Sequence, residues 1–103
     1  MGGKVEKSFD TDYPAYHESA ELLKALAHPV RLCIVRGLIR KGRCNVTFMQ
    51  ECLDLPQSTI SQHLQKLRSL GIVKGERAGL EMYYTVPDER IQKIMTILIG
   101  EDN

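Results

Sequence analysis

No stretch of this 103-residue chain approaches the ~18 consecutive apolar residues that a membrane-crossing helix needs. Residues 1–12 are polar and lack the apolar core of a secretory signal, so a cytoplasmic protein with no membrane partner is expected. Three cysteines, an odd number at irregular spacing, do not make a disulfide framework. No glycine-rich phosphate loop is present. The one close Ser–His pair, Ser61 and His63, stands two residues apart on one expected helix, where side chains point in different directions. An enzyme is therefore not expected, and no cofactor is implied. Neither an internal repeat nor a low-complexity segment occurs, and the length suits one small domain.

Net charge is only +1, little for a nucleic-acid partner, but its distribution is uneven. Residues 36–77 carry eight Lys/Arg against three acids, which makes that segment +5 and the remainder −4. A local basic surface binds phosphates whatever the global sum.

Within that segment lies the most informative stretch, residues 55–67, Leu-Pro-Gln-Ser-Thr-Ile-Ser-Gln-His-Leu-Gln-Lys-Leu. Ile60, Leu64 and Leu67 recur at helical spacing and make one apolar face. Gln57, Ser58, Ser61 and Gln62 fall on the other side as short, uncharged hydrogen-bonders. A helix that needed only solubility would carry Glu and Lys there. Amides and hydroxyls suit base edges, where donors and acceptors must be matched. His63 lies toward the inner side, and a packed, hydrogen-bonded histidine is expected rather than a base reader.

Helical spacing continues on both sides. Residues 1–12 read as an arm and 100–103 as a tail, with one domain over 13–99. Pro14 opens a first helix through Ser19, Leu22, Leu23 and Leu26 to about Ala27. His28-Pro29 breaks it, and Pro29 starts a second helix with Val30, Cys33, Ile34 and Leu38 inward, ended by Gly42. Asn45 is the expected N-cap of a short third helix over 46–53. A tight Asp54-Leu55-Pro56 connector leads into a fourth helix over 57–70, stopped by Gly71. Two expected strands, 72–77 and 80–86, then flank Ala78-Gly79, with Leu80, Met82, Tyr84 and Val86 on one face. Pro87-Asp88-Glu89 opens a last helix, apolar over more than one face through Ile91, Ile94, Met95, Ile97, Leu98 and Ile99. The expected fold is mainly α with a small β-hairpin, a winged helix-turn-helix in the order α-α-α-α-β-β-α.

Three stretches carry a family resemblance: residues 22–32 (LLKALAHPVRL), 56–67 (PQSTISQHLQKL) and 77–84 (RAGLEMYY). Together they resemble the winged helix-turn-helix transcriptional regulators of the ArsR/SmtB family, over roughly residues 18–98. Within the family the wording LPQSTxSQHL is most similar to PagR-like repressors. The resemblance implies a homodimer that binds double-stranded DNA at a pseudo-palindromic operator and represses its own or a neighbouring operon. It puts dimer contacts on the first and last helices, at Leu22, Leu23, Ile91, Ile94, Met95 and Leu98. With this geometry the expected DNA-binding residues are Gln57, Ser58, Thr59, Ser61, Gln62, Lys66 and Arg68 on the helix. Lys74 and Arg77 join them on the wing, with Arg43 as a further phosphate contact.

Aligned through Ser61-Gln62-His63-Leu64, the Cys-x-Cys pair of the family's arsenic and cadmium sensors falls on Asn45 and Thr47, neither a soft-metal ligand. No histidine follows His63, so the last-helix zinc or nickel site also lacks ligands, and no metal is expected. His17 with Asp10 and Asp12 is a weaker alternative for a metal site on the arm. Of the cysteines, Cys33 reads as a buried small hydrophobe. Cys44 beside Arg43 reads as the most reactive, since cations lower a thiol pKa. Cys52 faces either the core or Cys44. Two alternatives to a plain repressor stand beside it: a thiol-responsive repressor acting through Cys44, and a winged-helix protein-interaction module.

Overall fold

The structure is a computed structural model that describes residues 8–100. Its elements run α1 (Tyr13–Leu26), α2 (Pro29–Lys41), β1 (Cys44–Asn45), α3 (Val46–Leu53), α4 (Gln57–Ser69), β2 (Lys74–Ala78), β3 (Glu81–Thr85) and α5 (Glu89–Ile99). Residues 1–7 of the expected arm and 101–103 of the expected tail lie outside the described residues.

Local chemistry sets the helix ends. The Asp12 carboxylate accepts from the Ala15 N–H and Pro14 sits in the first turn of α1. His28 takes extended backbone and its Nδ1 accepts from the Val30 N–H at 3.1 Å, so it caps α2 just before Pro29. Asn45 Oδ1 accepts from the Phe48 N–H at 2.9 Å at the start of α3, and Asp88 Oδ1 accepts from the Arg90 N–H at 2.8 Å at the start of α5. At the ends of α2 and α4, Gly42 and Gly71 take φ of 93° and 76°, which residues with a Cβ rarely adopt.

The sheet has three antiparallel strands in the order β1-β3-β2, one more than expected. The extra strand is β1, whose Cys44 and Asn45 pair with Tyr84 and Tyr83. The wing is also shifted from its expected place. The strands are 74–78 and 81–85, and the two-residue turn is Gly79-Leu80 rather than Ala78-Gly79. Gly79, at φ 66°, occupies the first central position, where a tight hairpin needs a positive φ. Leu80 is therefore a turn residue, 97% exposed, and the apolar alternation begins only at Met82.

A single core joins the helices. Leu26 of α1, Ile34, Val35 and Leu38 of α2, and Met49 of α3 meet Ile60, Leu64 and Leu67 of α4. Ile72, Val73 and Val86 close it beneath the wing, with Ile91 and Met95 of α5. Two expectations are corrected here. Cys33 is exposed, because α2 turns Val35 rather than Cys33 into the core. Cys44 is buried, because alternate residues of a strand face opposite sides and Cys44 takes the inner one.

Candidate nucleic-acid interface

Helix α4 presents the two faces that its spacing predicts. Ile60, Leu64 and Leu67 are buried against α1, α2 and α3. Gln57, Ser58, Ser61, Gln62, Gln65 and Lys66 are exposed on the outer side. Thr59 is half-buried on the shoulder between them. Burial of the inner stripe fixes the helix, and so fixes the direction of the polar face. Pro56 precedes the helix in extended backbone and provides no side-chain cap. The Thr59 and Ile60 N–H groups donate to the Pro56 carbonyl, which leaves the Gln57 and Ser58 N–H groups ahead of the intrahelical ladder at the positive end of the helix dipole.

His63 sits between the two faces. Its Nδ1 accepts from Arg31 Nε at 3.1 Å and its ring lies 4.6 Å from that of His28. Burial pushes its pKa down from the ordinary histidine value, with further lowering from His28 and Arg31. It is the packed, hydrogen-bonded histidine expected, tying α4 to the start of α2.

The wing stands beside α4, and the two approach closely. A Cβ at Gly75 would lie 3.2 Å from Tyr84 Cε1 and 3.4 Å from Arg68 Cζ, so the Arg68 guanidinium lies against β2. Arg77 is exposed near the turn, opposite Met82. Lys74 is exposed at the base of the hairpin, opposite Thr85, with its Nζ 3.6 Å from Glu76 Oε1. Lys66 and Arg68 lie in the last turn of α4, where cations suit the helix C-terminus.

Between α3, α4 and the wing runs an open groove lined by Asn45, Thr47, Gln57, Ser61, Glu81 and Tyr84. Asn45 and Thr47 were not expected as site residues. Asn45 both caps α3 and donates through Nδ2 to Glu81 Oε2 at 2.8 Å, while Tyr83 Oη donates to the same oxygen at 3.2 Å. The Arg43 guanidinium lies over the Tyr83 ring, 4.2 Å from its centroid. The available sequence signal was the helix-turn-helix arrangement itself, whose first helix crosses the DNA backbone.

Cys44 does not have the activating surroundings that its neighbours in sequence suggest. Burial pushes the Cys44 thiol pKa up, Cys52 adds to that, and Lys41 only partly opposes it. The buried neutral thiol is favoured, so Cys44 is not the activated cysteine its neighbours in sequence suggested. Among the described residues no group of three His, Cys, Asp or Glu is placed to hold a metal ion, the His17, Asp10 and Asp12 set included.

The first and last helices are apolar on the outside. Leu23, Ile97 (80% exposed), Leu98 (66%) and Ile99 are open, and Leu22 and Ile94 are half-buried. Ile91 and Met95, expected as dimer contacts, are instead only 1% and 2% exposed in the protomer's own core. They hold α5 in place and offer almost no area to a second chain.

A helix-turn-helix domain family matches residues 26–76. The transcriptional repressor PagR of Bacillus anthracis is 44% identical over 87 residues, covering 84% of this chain and 87% of PagR. Its crystal structure superposes with a TM-score of 0.78, covering 84% of this chain and 99% of that one. The chain belongs to the ArsR/SmtB family of winged helix-turn-helix transcriptional regulators. The repressor SmtB of Mycobacterium tuberculosis is 41% identical over 82% of this chain and 64% of its own length. The homodimeric winged helix-turn-helix domain of Mb0332 from Mycobacterium bovis, described as a possible ArsR-family regulator, is 26% identical. It superposes with a TM-score of 0.77 over 91% of this chain and 86% of that one. This ArsR/SmtB protein is thus a DNA-binding transcriptional regulator, not an enzyme, and none of its described helices is long and apolar enough to cross a membrane.

Proposed function

We propose that the protein is a homodimeric repressor that binds a pseudo-palindromic operator in its own or a neighbouring operon. The observation that carries the reading is the outer face of α4. Five uncharged hydrogen-bonders, Gln57, Ser58, Ser61, Gln62 and Gln65, are exposed there, while a buried stripe locks the opposite side. Gln57, Ser58, Ser61 and Gln62 read base edges in the major groove. Thr59 contributes from the shoulder, against the phosphate backbone. Lys66, Arg68, Lys74 and Arg77 hold phosphates, and Arg43 joins them from beside α3. Two copies of α4, related by the dimer two-fold, enter successive major grooves about 34 Å apart.

Dimerisation is supported by the open apolar side chains of α1 and α5 and by the homodimeric state of Mb0332. Leu22, Leu23, Ile94 and Leu98 carry the interface, extended by Ile97 and Ile99, over Ile91 and Met95 beneath. The names of PagR and SmtB support repression. A cytoplasmic location follows from that role. The low net charge, which suits a protein-interaction module, is answered by the exposed cations of the helix end and the wing.

The test is fluorescence anisotropy on a duplex from the protein's own promoter, set against a scrambled duplex. A Gln57→Ala/Gln62→Ala double variant loses the preference for the promoter while keeping affinity for scrambled DNA. Lys74→Ala weakens both duplexes alike. If the double variant keeps its full preference, the base-reading assignment is wrong.

A further inference from the structure

All three cysteines of the chain line one cavity. It lies between α2 and α3 beside β1, holds about 230 Å³, and is otherwise walled by apolar side chains that include Phe48 and Met49. Cys44 is buried, whereas Cys33 and Cys52 are exposed at the rim. The opening owes part of its width to Gly37, a glycine inside α2, where an added Cβ would meet nothing within 4 Å.

This combination selects a ligand class. Apolar walls favour an uncharged carbon skeleton over an ion. Among the described residues the thiols and their neighbours do not form a three-ligand metal set. What remains reactive toward such a guest is sulfur at the rim. We propose that the cavity is a binding and modification site for a small apolar α,β-unsaturated carbonyl compound, captured covalently by Cys33 or Cys52.

The addition balances without an oxidant. The thiol yields its proton to solvent, and the thiolate sulfur attacks the β-carbon to form a C–S bond. The C=C π pair moves to the carbonyl as an enolate, which takes a proton from water at the α-carbon. The net change is S–H added across C=C. Cys44 remains unmodified inside.

The site touches the DNA-reading unit through packing. The α3 wall of the cavity packs on α4, and Lys41 Nζ of α2 lies 4.8 Å from the centroid of the Phe48 ring at the α2–α3 seam. A guest fixed between α2 and α3 displaces α3 and with it the α4 it supports, so operator affinity falls. This second consequence rests on the function proposed above; the capture itself does not.

The experiment measures adduct formation by mass spectrometry on the full chain, with phenyl vinyl ketone as apolar probe and acrylamide as polar probe. Each rate is divided by that of glutathione with the same probe. The apolar probe adds to Cys33 or Cys52 with an advantage of at least about tenfold, from binding before reaction, and the polar probe shows none. Gly37→Leu fills the cavity, keeps every thiol and improves helix propensity, and it abolishes the advantage while circular dichroism stays unchanged. Cys33→Ser/Cys52→Ser keeps the cavity and forms no adduct. The adduct weakens promoter binding by about tenfold or more, and the double serine variant is insensitive to the probe. Equal relative rates for the two probes, an undiminished advantage in Gly37→Leu, or adduct on Cys44 alone would overturn the site. Full promoter affinity in the adduct would overturn the coupling. Failure of the unmodified protein to bind promoter DNA would count against the functional reading alone, since the rate comparison needs no DNA.

Discussion

His63 ties the recognition helix to α2 only while its Nδ1 is unprotonated, because that nitrogen accepts the Arg31 Nε–H. Burial, His28 and Arg31 all lower its pKa from 6.5 in the folded state. The unfolded chain therefore takes up the proton first as pH falls. The stabilisation from neutral His63 is complete above pH 6.5 and is lost as pH drops from there through the folded pKa. Urea unfolding midpoints should fall over that window, and His63→Gln should flatten the fall. Asn45 makes two bonds, a cap to the Phe48 N–H and a bridge to Glu81 that joins β1 to the wing. Asn45→Ala should lower unfolding free energy by about 1–2 kcal/mol, measured by denaturant titration. The cysteines mark where residue-level reading fails. Cys33 and Val35 flank the same stripe through Ile34 and Leu38, and spacing alone does not say which flank turns inward. Cys44 neighbours cations in sequence, but the strand sends it inward while Arg43 reaches Tyr83.

Among the elements, all five helices were legible within a few residues, since caps, prolines and glycines mark their ends and apolar spacing marks their inner faces. The face of α4 was legible for the same reason. Strand β1 was not, because a two-residue strand exists only through its pairing with β3, a contact distant in sequence. The wing turn slipped by one residue because an Ala78-Gly79 turn would put Ala78 at the first central position, where a positive φ is needed, whereas Gly79-Leu80 puts the glycine there. On α5 the apolar excess was legible, but its division was not. Ile91 and Met95 went to the core, leaving Ile97, Leu98 and Ile99 outside. Leu98→Arg, an exposed position, should leave helix content unchanged by circular dichroism and shift the protein to monomer in analytical ultracentrifugation, with loss of operator affinity. Leu64→Ala, in the buried stripe of α4, should instead destabilise the fold by about 2–5 kcal/mol in denaturant unfolding.

At the scale of the whole molecule, a net charge of +1 conceals a segment of +5 over residues 36–77 and a remainder of −4. With the five phosphate-holding cations proposed per protomer, Arg43, Lys66, Arg68, Lys74 and Arg77, a dimer would make about ten phosphate contacts, so the slope of log affinity against log salt should be about −9. Lys74→Ala removes two of them per dimer and should flatten the slope by about 2. The proposed function requires two identical reading helices held at a fixed spacing by α1 and α5. The most direct measurement is selection of bound duplexes from a random-sequence library by the purified protein. The predicted result is an enriched inverted repeat with half-site centres about one helical turn apart, whose sequence changes with Gln57→Ala/Gln62→Ala. Enrichment of a single unrepeated site, or of no sequence at all, would contradict it.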